Sequence, residues 1–256
     1  MGKLTLGYDN QIDTSTLSGG SWDTSYPLSN VQTRQLALQA RTDDALAASS
    51  IIILDCGSAQ KIGTCGIVNH NLQSTATVRI QGSTVSNFST TVYDSGAVTI
   101  YNHTDYFVSF AETEARYWKI SISDTTNPDG YIAIGRVFVG WIFQPTINIA
   151  YTPSMGLEST TIVQETLGGQ EFFDLRPNRR VFNASWDALT DYEAYALWYQ
   201  IQRGEDISGE VVLIQDDGDT TYRAQRNYLG RIRTLDAFEN PYVDRHSAAF
   251  EISELL

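Results

Sequence analysis

The chain of 256 residues has only two cysteines and three histidines. Cys56 and Cys65 are nine positions apart, the spacing of neither a redox C-x-x-C nor a zinc pair. They read as two buried thiols, and a disulfide requires the fold to bring their strands together. His70, His103 and His246 are scattered among polar or turn residues, without a second ligand at zinc spacing. Each reads as a surface or capping histidine. Cations are also few: 17 Lys+Arg against 30 Asp+Glu gives a net charge of −13. There is no basic cluster to grip nucleic-acid phosphates or an anionic membrane surface. No apolar run is long enough to span a bilayer, and the longest, Ile132 to Phe143, contains Arg136.

Other signals are missing as well. The opening residues Met1 to Asp9 lack the apolar core of a secretory signal, and Leu6 stands where a myristoylation motif needs Ser or Thr. The chain is therefore expected to be made in a cytosol and to stay soluble, with release by another route left open. No G-x-S-x-G, H-E-x-x-H or G-x-x-x-x-G-K-[ST] occurs. Gly19-Gly20 and Gly168-Gly169 are turn glycines without the helix a phosphate site requires. A glycosidase pair cannot be singled out among 30 carboxylates. No catalytic residue, cofactor or metal is assigned, and the chain is not expected to be an enzyme. The sequons at Asn87, Asn102 and Asn183 read as chance without a signal peptide. Asp216-Asp217-Gly218-Asp219 lacks EF-hand spacing. It reads as a hairpin turn after Val211–Gln215, with a weak Ca²⁺ site as the alternative.

What is present is β-type pattern. Runs at 51–55, 62–68, 76–81, 90–93, 106–110, 116–122 and 131–139 are separated by turn-rich pieces such as Asn127-Pro128-Asp129-Gly130. In Arg116–Ile122, Trp118, Ile120 and Ile122 share one face. Many short strands without a long amphipathic helix indicate a sandwich or jelly roll. Residues 9–30, rich in Ser, Thr and Gly, read as a loop wrapped on the surface.

The composition shifts at Gln144-Pro145, which places a boundary between 1–148 and 149–256. The first part has eight Lys/Arg and twelve Asp/Glu, while the second has nine and eighteen, with every cation an Arg. An Arg-only, acidic half fits either ion-paired subunit contacts or a solvated surface. Its strands are expected at 159–167, 180–186, 211–215, 228–234 and 247–254. Thr190-Asp191-Tyr192-Glu193 is a capping box, and Ala194, Leu197, Trp198 and Ile201 form an apolar stripe. This spacing predicts a helix over 190–203, stopped by Gly204. The second half is thus α+β and the whole chain mainly β.

With 14 Tyr and 5 Trp, aromatics can fill sandwich cores or stack on sugar rings. Trp22, Tyr26, Tyr101 and Tyr106 are the candidates for a glycan or partner contact.

Two resemblances follow from particular residues. Ser21-Trp22-Asp23, Tyr26-Pro27-Leu28-Ser29-Asn30-Val31, Ile52-Ile53-Leu54-Asp55-Cys56-Gly57, Ile67 to Leu72, Thr77 to Ser83, Arg116 to Ile122 and Ile132 to Val137 come in the order of a discoidin or coagulation-factor type C domain. Residues 1–148 thus resemble that family, which implies a galactose-binding-like jelly roll. Arg179 to Thr190, Gly209 to Asp217, Gly230-Arg231-Ile232 and Phe250 to Leu255 are similar to the ring-forming domain of distal tail proteins of long, non-contractile-tailed phages. That resemblance, over 149–256, implies a tail-tube-like barrel in a structural virion protein of a tail tip or baseplate. It implies a homo-oligomeric ring, expected to be a hexamer, joining the tail tube protein to the tail hub and other tail-tip proteins. Arg179, Arg180, Arg231 and Arg233 are then candidate ring-interface residues, and DNA passes an acidic lumen without specific binding. The alternative is a carbohydrate-binding module that recognises host cell-surface glycan.

Overall fold

Alternating apolar positions lay down nine strands in the first part of the chain. They are β1 Thr5–Tyr8, β2 Thr16–Ser18, β3 Ala40–Arg41, β4 Ile51–His70, β5 Thr77–Ser83, β6 Thr91–Asp94, β7 Val98–Thr99, β8 Asp105–Ser123 and β9 Ala133–Phe143. The computed structural model describes residues 2–101 and 105–256; the Asn102 sequon and His103 lie outside them. The chain divides into one unit of Met1–Phe143 with Ile214–Tyr228, and another of Gln144–Leu213 with Leu229–Leu256.

In the first unit the strand order is β1-β9-β4-β8-β5-β6, with β2 on β4, β3 on β9 and β7 on β5. Two pairs of expected strands are fused: 51–55 joins 62–68 in β4, and 106–110 joins 116–122 in β8. The β4–β8 ladder runs the length of both fused strands and shifts register between Asp55 and Gln60 and between Ile62 and Thr64. Gly57, at φ +73, supplies the left-handed step beside the first of these shifts. Before that step, Ile51–Asp55 pairs with the end of β8, which also pairs with β5. Beyond it, Thr64–Val68 pairs with the start of β8 and with β9. Long strands that bend at bulges in this way serve both sheets of a sandwich. The core between them gathers Trp118, Ile120, Val78 and Ile80 with Cys65, Ile67, Tyr106 and Val137.

Both cysteines are free thiols. Burial pushes the Cys65 thiol up to about 12, and it also raises the half-buried Cys56. Residues 214–228 pack with this unit although they lie in the second half of the sequence. Their acidic run is a turn whose carboxylates hold backbone amides. Asp216 accepts from Gly2 N at 2.7 Å, Asp217 from Lys3 N at 2.8 Å and Asp219 from Thr221 N at 2.8 Å. The next element is a helical turn, Arg223–Arg226, where the hairpin reading required a strand.

The second unit contains β10 Ser154–Glu158, β11 Ile162–Glu165, β12 Glu171–Asp174, β13 Arg179–Leu189, β14 Val211–Ile214, β15 Tyr228–Ile232, β16 Glu239–Tyr242 and β17 Arg245–Glu254. The sheet order is β10-β13-β17-β15-β14, with β16 on β17, while β11 and β12 form a separate hairpin. β10 and β14, at the ends of that order, do not pair with each other, so the closed barrel implied by the tail-protein resemblance is not shown. One sheet face carries Phe182, Trp186, Phe250 and Ile252, all buried. The helical segment covers it through Trp198: Trp186 stacks on Phe250 at 4.9 Å, and Trp198 meets Phe250 edge-on at 5.6 Å.

Local sequence explains how this helix starts. Glu193 accepts from Thr190 N at 2.9 Å, and Thr190 Oγ1 accepts from Glu193 N at 3.3 Å. The other Glu193 oxygen accepts from Thr146 N at 2.7 Å, tying in the chain that leads into the unit. Residues Tyr192–Trp198 turn more widely than an α-helix, and Tyr199–Glu205 continues as α. The helix runs through Gly204, and Asp206, at φ 52, ends it. Although burial pushes the Glu193 carboxyl up, the hydrogen bonds from Thr190 and Thr146 hold it below its ordinary value.

A lowered folded-state pKa contributes stability above the unfolded value of about 4.3, and that contribution fades as pH falls through the folded value. Glu193→Ala is expected to cost about 1–2 kcal/mol at neutral pH. The deficit relative to the wild type should shrink below about pH 4. Urea unfolding of both proteins across pH checks this; an equal deficit at pH 3 and 7 contradicts it.

Candidate functional site

The first unit gathers a set of loop residues around one arginine. Strand β3 pairs with the start of β9, Arg41 opposite Ala133. Thr42 N donates to Ile132 O at 2.9 Å, and Ile132 N donates to Thr42 Oγ1 at 2.8 Å. This pairing brings Arg41 beside Tyr131, 5.1 Å from its ring centre. The 19–26 loop is laced to the same strand: Asp23 N donates to Arg41 O, and Arg41 N donates to Tyr26 O. Tyr26 thereby lies over the guanidinium at 4.1 Å. Gly20 has φ +68, and a Cβ there would fall 2.4 Å from Ser49 O and 2.6 Å from Trp22 Nε1. Glycine is required for Trp22 to approach this closely.

The surroundings hold these groups in place. Asn71 Nδ2 donates to Asp129 at 2.8 Å and to Tyr131 O at 3.0 Å, while its Oδ1 accepts from Ala133 N at 2.8 Å. Asn127 Nδ2 donates to Asn71 O and to Asp124. On the other side Ser21 donates to Asp43 at 2.6 Å. Arg41 itself has no hydrogen-bond or ion-pair partner for its guanidinium among the described residues, and its Nε is out of water. The result is a cation between two aromatic rings, bordered by Asp43 and Asp129. Such a set offers aromatic faces for apolar C–H groups and donors and acceptors for hydroxyls.

The four aromatic candidates separate. Tyr26 is 39% exposed, and half-buried Trp22 packs on the core while its Nε1 donates to Gly19 O. Tyr106 is 2% exposed and faces Tyr101 at 5.6 Å, inside the core. Tyr101 is held by its hydroxyl, which accepts from Phe107 N at 2.9 Å and donates to Phe107 O, and Arg223 covers its ring at 4.1 Å. The surface role expected for Tyr101 and Tyr106 is therefore corrected to core packing. Arg41 and Tyr131 were not legible as site residues, because only the β3–β9 pairing joins them.

Of the four arginines, Arg180 is paired with Glu254 of its own chain, their side chains 15% and 11% exposed. That removes it from the free interface cations. Arg179, Arg231 and exposed Arg233 have no ion pair among the described residues, and the Nε atoms of Arg179 and Arg231 are buried without a partner. His246 is 7% exposed, not a surface histidine: its Nε2 lies 2.6 Å from Asp191, and its Nδ1 contacts Asn240 Oδ1. A groove of about 500 Å³ in the second unit is lined by Ser185, Asp187, Asp236, Glu239 and Ser247. Among the described residues no three His, Cys, Asp or Glu side chains converge as metal ligands, and no helix is long and apolar enough to cross a membrane.

No protein-family model and no curated protein sequence matches the chain. Solved structures do. The chain is similar to a family 32 carbohydrate-binding module from a family 31 glycoside hydrolase of Clostridium perfringens, at 14% identity and TM-score 0.42, over 52% of this chain and 99% of that one. It is similar to the lectin domain of lectinolysin, solved with Lewis B antigen, at 15% identity and TM-score 0.42, over 51% and 95%. It is also similar to the family 32 module of C. perfringens NanJ, solved with galactose, at 20% identity and TM-score 0.42, over 54% and 99%. These likenesses concern architecture over about half the chain. No residue role is carried over from them, and none of them concerns a phage tail.

The Arg41 surface depends on the wrapped segment that precedes it. Arg136, with no exposed side-chain surface, holds Asp13 at 2.7 Å and donates to Val31 O at 3.0 Å, on both sides of the 19–26 loop. Asp13→Ala removes that carboxylate from the buried guanidinium. The expected cost is about 2–3 kcal/mol, below the roughly 3–5 kcal/mol of a fully buried pair, because Asp13 keeps 27% exposure. Chemical denaturation checks it; a loss below about 0.5 kcal/mol, typical of an exposed pair, contradicts it.

Proposed function

We propose that the first unit is a non-catalytic glycan-recognition module and that the chain serves as an adhesion protein. The observation that carries this reading is Arg41, held between Tyr26 and Tyr131 with its guanidinium uncommitted. A neutral sugar presents vicinal hydroxyls and an apolar C–H face. Arg41 donates to the hydroxyls, Asp43 and Asp129 accept from them, and Tyr26 stacks on the face. The acidic border and the net charge of −13 disfavour a strongly anionic saccharide. The expected partner is host cell-surface glycan. A glycan array and calorimetry with the full chain test the reading. A retained neutral glycan should lose at least about tenfold in affinity, about 1.4 kcal/mol, in both Tyr26→Ala and Arg41→Ala. An array with no retained glycan, or binding unchanged in Arg41→Ala, overturns it.

A second reading is favoured by the second unit. β10 is an edge strand that pairs with β13, and Arg179, Arg231 and Arg233 have no ion pair among the described residues. Unpaired edges and uncommitted cations suit a surface closed by further copies. In this reading the chain is a structural component of a phage tail tip, a homo-oligomeric ring between tail tube protein and tail hub. The acidic charge lets DNA pass without specific binding, and the glycan module serves host attachment. Mass spectrometry of purified particles is expected to find the chain in the virion. Its absence there, together with a monomeric mass in solution, excludes the ring.

A further inference from the structure

The β11–β12 hairpin breaks two rules that a finished surface obeys. Every residue from Ile162 to Asn178 is exposed, and these include Val163, Leu167, Phe172, Phe173 and Leu175. A lone two-stranded hairpin is marginal in water, and apolar surface of this extent marks a contact. The register then places Glu165 directly opposite Glu171 at the tip, on the same face as the Val163–Phe173 pair. Like charges directly opposite are destabilising, and neither glutamate has an ion-pair partner among the described residues. The tip therefore presents an apolar pair followed by an acidic pair and lacks a cation.

A surface with the matching chemistry occurs on the second unit. The face of its sheet away from the Trp186 core carries Arg231 opposite Ser253, which is itself opposite Val181, with Arg179 on the same face. Arg179 Nε, Arg231 Nε and Ser253 Oγ are buried without partners, and Ser253 is 1% exposed. Arg233 N bonds Glu251 O beside them. Glu158 lies opposite Arg179, yet neither it nor Glu251 forms an ion pair with these arginines. Ser185 and Asp187, further along β13, line the acidic groove, which repels a glutamate tip.

We propose that the β11–β12 hairpin of one copy docks on the arginine-bearing sheet face of a second copy. Glu165 and Glu171 meet Arg231 and Arg233, and Val163 and Phe173 pack beside Val181. The second copy is chosen by charge complementarity: the tip needs cations, and the same chain carries half-buried Arg231 and exposed Arg233 without ion pairs among the described residues. The inference rests on the self-associating reading above and names the element that performs it.

Light scattering of the full chain tests it with three variants: Glu165→Lys/Glu171→Lys, Arg231→Glu/Arg233→Glu, and the four changes combined. The wild type is expected to be oligomeric. Either reversal alone should shift the mass to monomer, and the combination should restore the oligomer. The glutamates lie on a fully exposed hairpin, so that variant decides even if the arginine variant fails to fold, as read by circular dichroism. An oligomeric wild type whose mass both reversals leave unchanged overturns the docking and leaves self-association standing. A monomeric wild type overturns both.

Discussion

A fully buried guanidinium cannot be left without compensation, and much of the first unit is arranged around that demand. Arg136 stands in the largely apolar strand β9, between buried Gly135 and Val137. An isolated charge in such a place is prohibitively costly, so its partners must come from elsewhere in the chain. Asp13 and Val31 O provide them, and both belong to the wrapped segment. That segment has little regular ladder of its own and must find other partners for its polar groups. Asn10 bridges to β9 through Val137 O and Val139 N, and Gln32 closes on Ile12 O and Ser15 O. The loop carrying Trp22 and Tyr26 is suspended between these anchors, so the candidate site inherits its geometry from the core.

The second unit uses the same logic at a helix terminus. The Glu193 carboxylate accepts from the cap amide of Thr190 and, with its other oxygen, from the amide of Thr146 in the incoming chain. One carboxylate thus fixes where the helix begins and where the incoming chain lies. The aromatic contacts of Trp186, Trp198 and Phe250 then decide which face of the sheet is covered. The opposite face carries Arg231 and Ser253 as cross-strand neighbours beside Val181.

Sequence made local arrangements legible and tertiary ones obscure. Trp118, Ile120 and Ile122 alternate and are buried together, because period two is a property of a single strand. The Thr190–Glu193 box is readable because its partners are three residues apart. The fusion of two runs into β4 was not readable: Asp55 to Gln60 looks like a turn, and only the pairing with β8 shows it as a bend within one strand. Arg41 and Tyr131 escaped for the same reason, since Thr42 and Ile132, which join their strands, are 90 residues apart. Tyr26 lies in the wrapped loop and stays 39% exposed, whereas Tyr106 lies in β8 and is 2% exposed in the core.

Departures from local rules mark where this chain is unfinished. Natural sequences satisfy their buried polar groups and oppose unlike charges, so exceptions concentrate at sites that meet something else. Arg41 holds a charge between two rings with no counter-ion among the described residues, and Glu165 faces Glu171. Arg231 and Ser253 are cross-strand neighbours that each bury an unsatisfied atom. The three exceptions differ in chemistry. The first is small and aromatic, suited to a ligand ring. The other two are extended and of opposite sign, suited to each other. In the two readings proposed above, that difference assigns recognition to the first unit and self-association to the second.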